Sequence, residues 1–251
     1  MMLNYKIEGG GEPFLLIHGF GISFYIWEDL LPLLRDQFSL IQIELPGIGS
    51  SPPPKKGQNY LDAAVEGVEQ VRAALKIERW RMLSYSSGTR VGERYMNLCA
   101  NRVERAIFVC PAKISSRRAW GLRLAMQLDT MIPQLGNWVL SGARLHYLIG
   151  LLGFNSQPNE RSPRWFQEIS SQPVEILKET LRSLSHEGAQ PFLSAGNNTL
   201  FIWADNDRII ETPRPSSQDH IIHANHSAAQ TASRQLAELI LPFLGSKPLT
   251  V

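Results

Sequence analysis

Short apolar runs alternate with stretches of helical periodicity along most of this chain. Phe14-Leu15-Leu16-Ile17, Leu40-Ile41-Gln42-Ile43, Trp80-Arg81-Met82-Leu83 and Ala106-Ile107-Phe108-Val109 are mostly apolar, and Gly, Pro or Ser follows each of them. Runs this short and this continuous predict strands buried on both faces. Between the second and third, Leu61, Ala64, Val65, Val68, Val71, Ala74 and Leu75 recur at helical spacing, which predicts an amphipathic helix over Tyr60 to Leu75. The strand pattern resumes at Leu200-Phe201-Ile202-Trp203 and Ile221-Ile222, and Ala228 to Leu244 reads as one closing helix. Strands alternating with helices predict an α/β fold: a mostly parallel sheet flanked by helices on both faces.

Between Pro111 and about Ala195 the strand pattern disappears, and apolar residues fall at helical spacing among arginines and prolines. This segment is expected to be an inserted helical cap over residues 112–195, leaving 1–111 and 196–251 as the core. Its most apolar stretch, Leu135 to Phe154, is interrupted by Arg144 and His146, so a buried helix is expected there rather than a membrane span. Ser50-Ser51-Pro52-Pro53-Pro54-Lys55-Lys56-Gly57 reads as a stiff surface connection.

Composition narrows the functions further. Hydrophobic residues make up 43% of the 251 residues and charged ones 19%, enough to bury a sizeable core. Lys+Arg total 25 against 23 for Asp+Glu, so there is no global field to attract nucleic acid or a membrane surface. The two cysteines, Cys99 and Cys110, suit buried free thiols in a reducing compartment, and no secretory signal is evident at the N-terminus, so a cytoplasmic location is expected. A clustered Cys/His pattern of the zinc type is absent from the sequence, so no metal is expected, and nucleophilic chemistry by a serine needs no organic cofactor.

Candidate chemistry begins at Ser84-Tyr85-Ser86-Ser87-Gly88, which follows a predicted strand and opens a helical segment from Thr89 to Cys99. A sharp strand-to-helix turn that presents a nucleophile needs small residues on either side of it, and only the register centred on Ser86 meets that need. Such a serine requires a base and a pair of oxyanion donors. Six histidines are present, so position must select the base. His226 lies between the last predicted strand and the closing helix, with His223 its rival. Trp203-Ala204-Asp205-Asn206-Asp207 follows a predicted strand, and Asp207 or Asp205 could orient the imidazole; Asp205 reads better as a turn residue.

Taken together, Leu15-Leu16-Ile17-His18-Gly19-Phe20-Gly21, Glu44-Leu45-Pro46-Gly47-Ile48-Gly49-Ser50-Ser51, the elbow, the acid loop and the final His resemble, in order, the motifs of the α/β-hydrolase fold family over residues 12–110 and 196–245. Ser84, Ala204, Glu44 and Asn225 stand where that family's usual residues are Gly, Gly, Asp and Gly. The resemblance implies the chain order nucleophile, acid, base, hence a triad of Ser86, Asp207 and His226, with the backbone N–H groups of Phe20 and Ser87 as oxyanion hole and His18 bracing its loop. It implies an acyl hydrolase of small-molecule esters or thioesters, because the family's epoxide hydrolases and haloalkane dehalogenases carry Asp at the elbow.

Two alternatives stand beside it. Tyr85-Ser86-Ser87-Gly88-Thr89-Arg90 also resembles the elbow of the menaquinone-pathway lyase, succinyl-hydroxy-cyclohexadiene-carboxylate synthase. Tyr85, Arg90 and Arg123 would then face an anionic substrate, with Arg117, Arg118 and Arg144 nearby. A hydrolase-fold ligand receptor with slow or no turnover is the other alternative. In any of these, Trp120, Leu124, Leu128, Met131 and Trp138, with Leu148, Leu152 and Phe154 further on, are expected either to line an apolar pocket or to pack the cap helices onto the core. The sequence does not set an oligomeric state.

Overall fold

The computed structural model describes residues 2–113, 115–140, 162–187, 196, 198–210 and 219–248. Its centre is a seven-stranded sheet in the order β1-β3-β2-β4-β5-β6-β7. The strands are β1 (Tyr5–Gly9), β2 (Glu12–Ile17), β3 (Phe38–Ile43), β4 (Trp80–Tyr85), β5 (Val103–Val109), β6 (Thr199–Ala204) and β7 (Asp219–Ile222). All adjacent pairs are parallel except β1 with β3, where Tyr5 pairs Ile43 and Gly9 pairs Ser39. The fold class read from the sequence is the one observed. The edge strand β1 is an addition: its alternation of half-buried and exposed residues lacks the continuous apolar run that marked the others.

Each apolar run serves two cores, because successive side chains of a strand point to opposite faces. Phe14 and Leu16, Ile107 and Val109, Leu200 and Ile202 face one cluster, together with Leu34, Leu236 and Ile240. Leu15 and Ile17, Ala106 and Phe108, Phe201 and Trp203 face the other, against Leu61, Val68 and Tyr95. The first face is covered by α1 (Leu31–Leu34), α8 (Ala228–Thr231) and α9 (Ser233–Phe243), the second by α2 (Tyr60–Ala74) and α3 (Gly88–Leu98). Asn59 starts α2 by accepting the N–H groups of Leu61 and Asp62 at its side chain. The closing helix is two pieces: the chain leaves helical geometry at Ala232 (φ −137°), yet Ala228, Ala229, Leu236 and Ile240 all reach the same core face.

Between β5 and β6 the described chain is helical: α4 (Ser116–Met131), α5 (Pro133–Val139), α6 (Ser162–Ser171) and α7 (Val174–Glu187). This segment is tied to loops that follow the carboxyl ends of strands. Glu168 accepts the Ser23 hydroxyl at 2.7 Å and its N–H at 3.2 Å, and Gln172 accepts the Gly49 N–H at 3.0 Å. Arg118 donates to the Ile209 carbonyl at 2.7 Å. Within it, the buried pair Lys178–Asp129 (2.9 Å) joins α7 to α4, and Asp129 also accepts the Gly136 N–H of α5. Among the described residues no helix is long and apolar enough to cross a membrane. Arg144, Leu148, Leu152 and Phe154 lie outside the described residues.

Candidate active site

Ser86 sits at the turn from β4 into α3 with φ +51°, a left-handed conformation that costs a non-glycine residue about 1 kcal/mol or more and persists only where neighbours enforce it. The neighbours are visible. The Ser86 N–H donates to the Val109 carbonyl at 3.0 Å, and Thr89 Oγ1 donates to the Ser86 carbonyl while accepting the Ala112 N–H at 2.9 Å. Crowding explains the small residues: a Cβ on Gly88 would lie 2.1 Å from the His18 carbonyl oxygen, and one on Gly92 would lie 2.1 Å from Ser84 Oγ. Gly92 therefore makes the room that lets Ser84 stand where the related elbows have Gly. The Ser84 hydroxyl, fully buried there, has no hydrogen-bond partner among the described residues.

The sequence-predicted triad residues meet. Ser86 Oγ is 2.8 Å from His226 Nε2, and His226 Nδ1 is 2.6 Å from Asp207 Oδ2. His226 is fully buried and the Asp207 side chain is 2% exposed. Burial by itself would raise the Asp207 carboxyl, but the His226 charge and hydrogen bonds from His226 and the N–H groups of Ile210 and Ile209 hold it below its ordinary value. The rivals are occupied elsewhere: His223, whose side chain is 81% exposed, pairs with Asp205 at 2.7 Å. Asp205 lies in the turn after β6 that the Asp207 N–H closes on the Ala204 carbonyl, as the sequence suggested, and it also accepts the Ala224 N–H, tying that turn to the end of β7.

On the other side of Ser86, the loop after β2 passes so close that a Cβ on Gly19 would lie 3.0 Å from Ser86 Cβ. His18 braces this loop: its Nδ1 meets the Gly19 carbonyl at 2.8 Å and its Nε2 accepts the Leu45 N–H at 2.9 Å. These bonds fix a neutral tautomer with the proton on Nδ1. Burial accordingly pushes the imidazole down from 6.5 to about 4, against smaller upward pulls from the Gly19 hydrogen bond and Glu44. Glu44, the departure from Asp in the neighbouring turn, accepts from Asn4 Nδ2 at 2.8 Å and from the Ser50 N–H at 2.7 Å, so it holds the loop after β3 as a structural residue. Phe20 follows Gly19 directly, and Ser87 is the residue at which α3 begins, where N–H groups lack intrahelical partners.

The residues that the lyase resemblance and the apolar pattern of the inserted segment assign to substrate contact are placed otherwise. Tyr85 is buried, its hydroxyl donates to the His226 carbonyl and its ring lies 5.9 Å from the His226 ring, so it positions the histidine loop. Arg90 is 2% exposed, with Nε on the Ala112 carbonyl (3.1 Å) and Nη1 on Glu93 (2.8 Å). The crevice it lines with Ser87 and Thr180 measures about 10 Å³, room for one water at most. Arg123 donates to the Ser185 carbonyl at 2.7 Å and so ties α4 to α7. Trp120 and Trp138 are 64% and 57% exposed, with Leu124, Leu128 and Met131 exposed beside them, so among the described residues these side chains stand outside both core clusters. Sequence spacing fixed a helix for them but not which face the rest of the protein would take. The residue overlooked was Cys110, whose thiol lies within 4.8 Å of both the Asp207 carboxylate and the His226 ring.

Comparison with known proteins agrees with this architecture. The chain is 34% identical over 85 residues to an uncharacterized hydrolase of Saccharomyces cerevisiae, 24% over 167 residues to a soluble epoxide hydrolase of a Corynebacterium species, and 28% over 142 residues to a pimeloyl-[acyl-carrier protein] methyl ester esterase of Photobacterium profundum. These matches cover 34%, 62% and 54% of the chain, and span only 29%, 58% and 51% of the relatives. A crystal structure of a hydrolase from Pseudomonas aeruginosa superposes with a TM-score of 0.72 at 18% identity, covering 97% of this chain and 94% of that one. The profile of the alpha/beta hydrolase fold matches residues 12–226, from the start of β2 to the histidine bonded to Ser86. By that match, and by the sheet and elbow it spans, this chain belongs to the α/β-hydrolase fold family.

Proposed function

We propose that the protein is a serine hydrolase of carboxylic esters or thioesters, working through an acyl-enzyme. The observation that carries the reading is the continuous relay Ser86 Oγ to His226 Nε2 (2.8 Å) and His226 Nδ1 to Asp207 (2.6 Å), with all three side chains buried at the carboxyl edge of the sheet. In this reading His226 takes the Ser86 proton as Oγ attacks the substrate carbonyl, and the N–H groups of Phe20 and Ser87 receive the negative oxygen. His226 then hands the proton to the departing alcohol or thiol. Water replaces it, gives a proton to His226 and attacks the acyl carbonyl, and Ser86 recovers its proton as the acid leaves. Serine at the elbow favours acyl transfer over the epoxide and halide chemistry of relatives that resemble one another in carrying Asp there. The helices α4–α7 act as a cap over residues 112–195 in this scheme, since Glu168, Gln172 and Arg118 dock them on loops around the nucleophile.

The test is turnover of short and medium p-nitrophenyl esters by the wild type beside Ser86→Ala, with folding of both checked by circular dichroism. The expected result is hydrolysis by the wild type that falls by about 10⁴-fold or more in the variant. Equal rates in the two proteins would remove Ser86 from the nucleophile's role, and no turnover of any ester by the wild type would overturn the acyl-hydrolase reading.

A further inference from the structure

The Asp207 carboxylate has about four lone-pair directions to satisfy and no access to water. Oδ1 accepts the N–H groups of Ile209 (2.8 Å) and Ile210 (2.9 Å), and Oδ2 accepts from His226 (2.6 Å). Among the described residues one direction is left, and Cys110 is a neighbour with a proton to offer: its Sγ, a carboxylate oxygen of Asp207 and a ring nitrogen of His226 all lie within 4.8 Å of one another. A second observation comes from the backbone. Of the three non-glycine residues with positive φ among those described, one, Lys76, follows the C-terminus of α2, and the others are Ser86 (+51°) and Cys110 (+46°). Cys110 holds this conformation just past β5 while its N–H donates to the Ile202 carbonyl of β6 at 2.8 Å. The carboxyl ends of β5 and β6 thus deliver a strained cysteine beside the acid that follows β6, and strain of this kind concentrates where side-chain direction matters.

We infer that Cys110 is a positioning residue for the triad acid, its buried thiol donating S–H to Asp207 and fixing the carboxylate against His226. The inference rests on the hydrolase reading for its consequence but not for its geometry. Burial, then the Asp207 charge and the hydrogen bond to it, push the Cys110 thiol well above its ordinary range, so it keeps the proton that it donates. Among the described residues, groups that face Asp207 and His226 in this pocket include Tyr85 and Ser86 from β4 and the elbow, Cys110 just past β5, and the backbone of the loop after β6. A thiol is a weak donor that also packs as a small hydrophobe, which suits a site closed to water.

The experiment compares Cys110→Ala and Cys110→Ser with the wild type. For a p-nitrophenyl ester, Cys110→Ala is expected to lower kcat by about tenfold with KM within about twofold, and Cys110→Ser, which restores a donor, to recover kcat to within about threefold of wild type. The downfield proton resonance of the His226–Asp207 hydrogen bond should move or broaden in Cys110→Ala and return in Cys110→Ser. Equal losses in both variants, or an unchanged kcat and resonance in Cys110→Ala, would overturn the inference. If Cys110→Ala does not fold, the S–H infrared stretch of the wild type, assigned by its loss in Cys110→Ser, decides. A shift to higher frequency in Asp207→Asn supports the bond and an unmoved band overturns it. The resonance and the band need no substrate, so a failed ester assay leaves the fate of Cys110 separately readable.

Discussion

At the carboxyl edge of the sheet, Ser86, Asp207 and His226 are buried, and each is held by bonds from at least two elements. On the outer face of α4 and α5, Trp120 and Met131 are 64% and 78% exposed, and Arg118 and Arg123 reach from α4 to backbone carbonyls of other segments. The helices α6 and α7 lie between these extremes: Ile169 and Ile176 pack against Gly21 and Gly47, and Glu168 and Gln172 bond Ser23 and Gly49 in the loops after β2 and β3. Burial and cross-bonding therefore decrease outward from the elbow. Where backbone strain and hydrogen bonds over-determine a side chain, geometry is set to a few tenths of an ångström, and where a helix touches the rest of the protein on one face, the sequence of its other face is left free.

The largest effect that would sharpen this contrast lies within the site itself. Asp207→Asn should cost about 10⁴-fold in ester turnover, because the amide no longer fixes the imidazole tautomer, while Asp205→Asn, facing the exposed His223, should change turnover by less than about threefold. Steady-state kinetics on both variants checks it, and equal losses would erase the distinction between the two acids. Next comes the ion pair between the outer helices. Lys178→Ala removes the 2.9 Å partner of buried Asp129 and leaves it the Gly136 N–H and the longer 3.7 Å contact to Arg182, and should destabilise the α4–α7 segment by about 1–3 kcal/mol. Limited proteolysis should then cut between β5 and β6 before the core yields; a wild-type cleavage pattern would show that this pair does not hold the segment.

A third test uses pH. The unfolded chain takes up a proton on His18 near 6.5 and the folded chain only at about 4, so in that interval the unfolded state binds more protons. Stability should be intact above 6.5 and fall as the pH drops toward 4, by up to about 3 kcal/mol from this group. Urea unfolding across the interval, with His18→Gln as control, isolates the contribution: the variant should be less stable at neutral pH and lose part of the slope. An identical slope in both proteins would assign the acid sensitivity to other groups.

The same outward gradient sets what could be read from sequence. The runs at Phe14–Ile17 and Ala106–Val109 were legible because a buried parallel strand tolerates little besides apolar residues, whereas β1 hid because an exposed edge does not impose that rule. Ser86, Asp207 and His226 stood out by their positions after strands, and the structure brings those three side chains together. The resemblance to the lyase elbow assigns Tyr85 and Arg90 to substrate contact, but their partners, the His226 and Ala112 carbonyls, lie 141 and 22 residues away in sequence. Cys110 failed to stand out for the same reason: nothing local says that the ends of β5 and β6 meet. Spacing reports which element a side chain belongs to, and topology alone reports what faces it.

The smallest predicted effect tests the outer end of the gradient. Along α4, Ala119, Leu122, Met126 and Asp129 are buried or half-buried, and Trp120, Leu124, Leu128 and Met131, on the opposite side, are exposed. A helix apolar on both sides gives no single direction for packing, which is why periodicity could not choose between a pocket lining and a core contact for these residues. If the exposed side contributes as little to folding as its exposure implies, Trp120→Ser and Met131→Ser should each shift stability by less than about 0.5 kcal/mol and leave short-ester turnover within about twofold. Thermal unfolding and steady-state kinetics on the single variants measure both. A loss of about 2 kcal/mol or more would mean that this face is covered in solution, and would move α4 from the free end of the gradient toward the core.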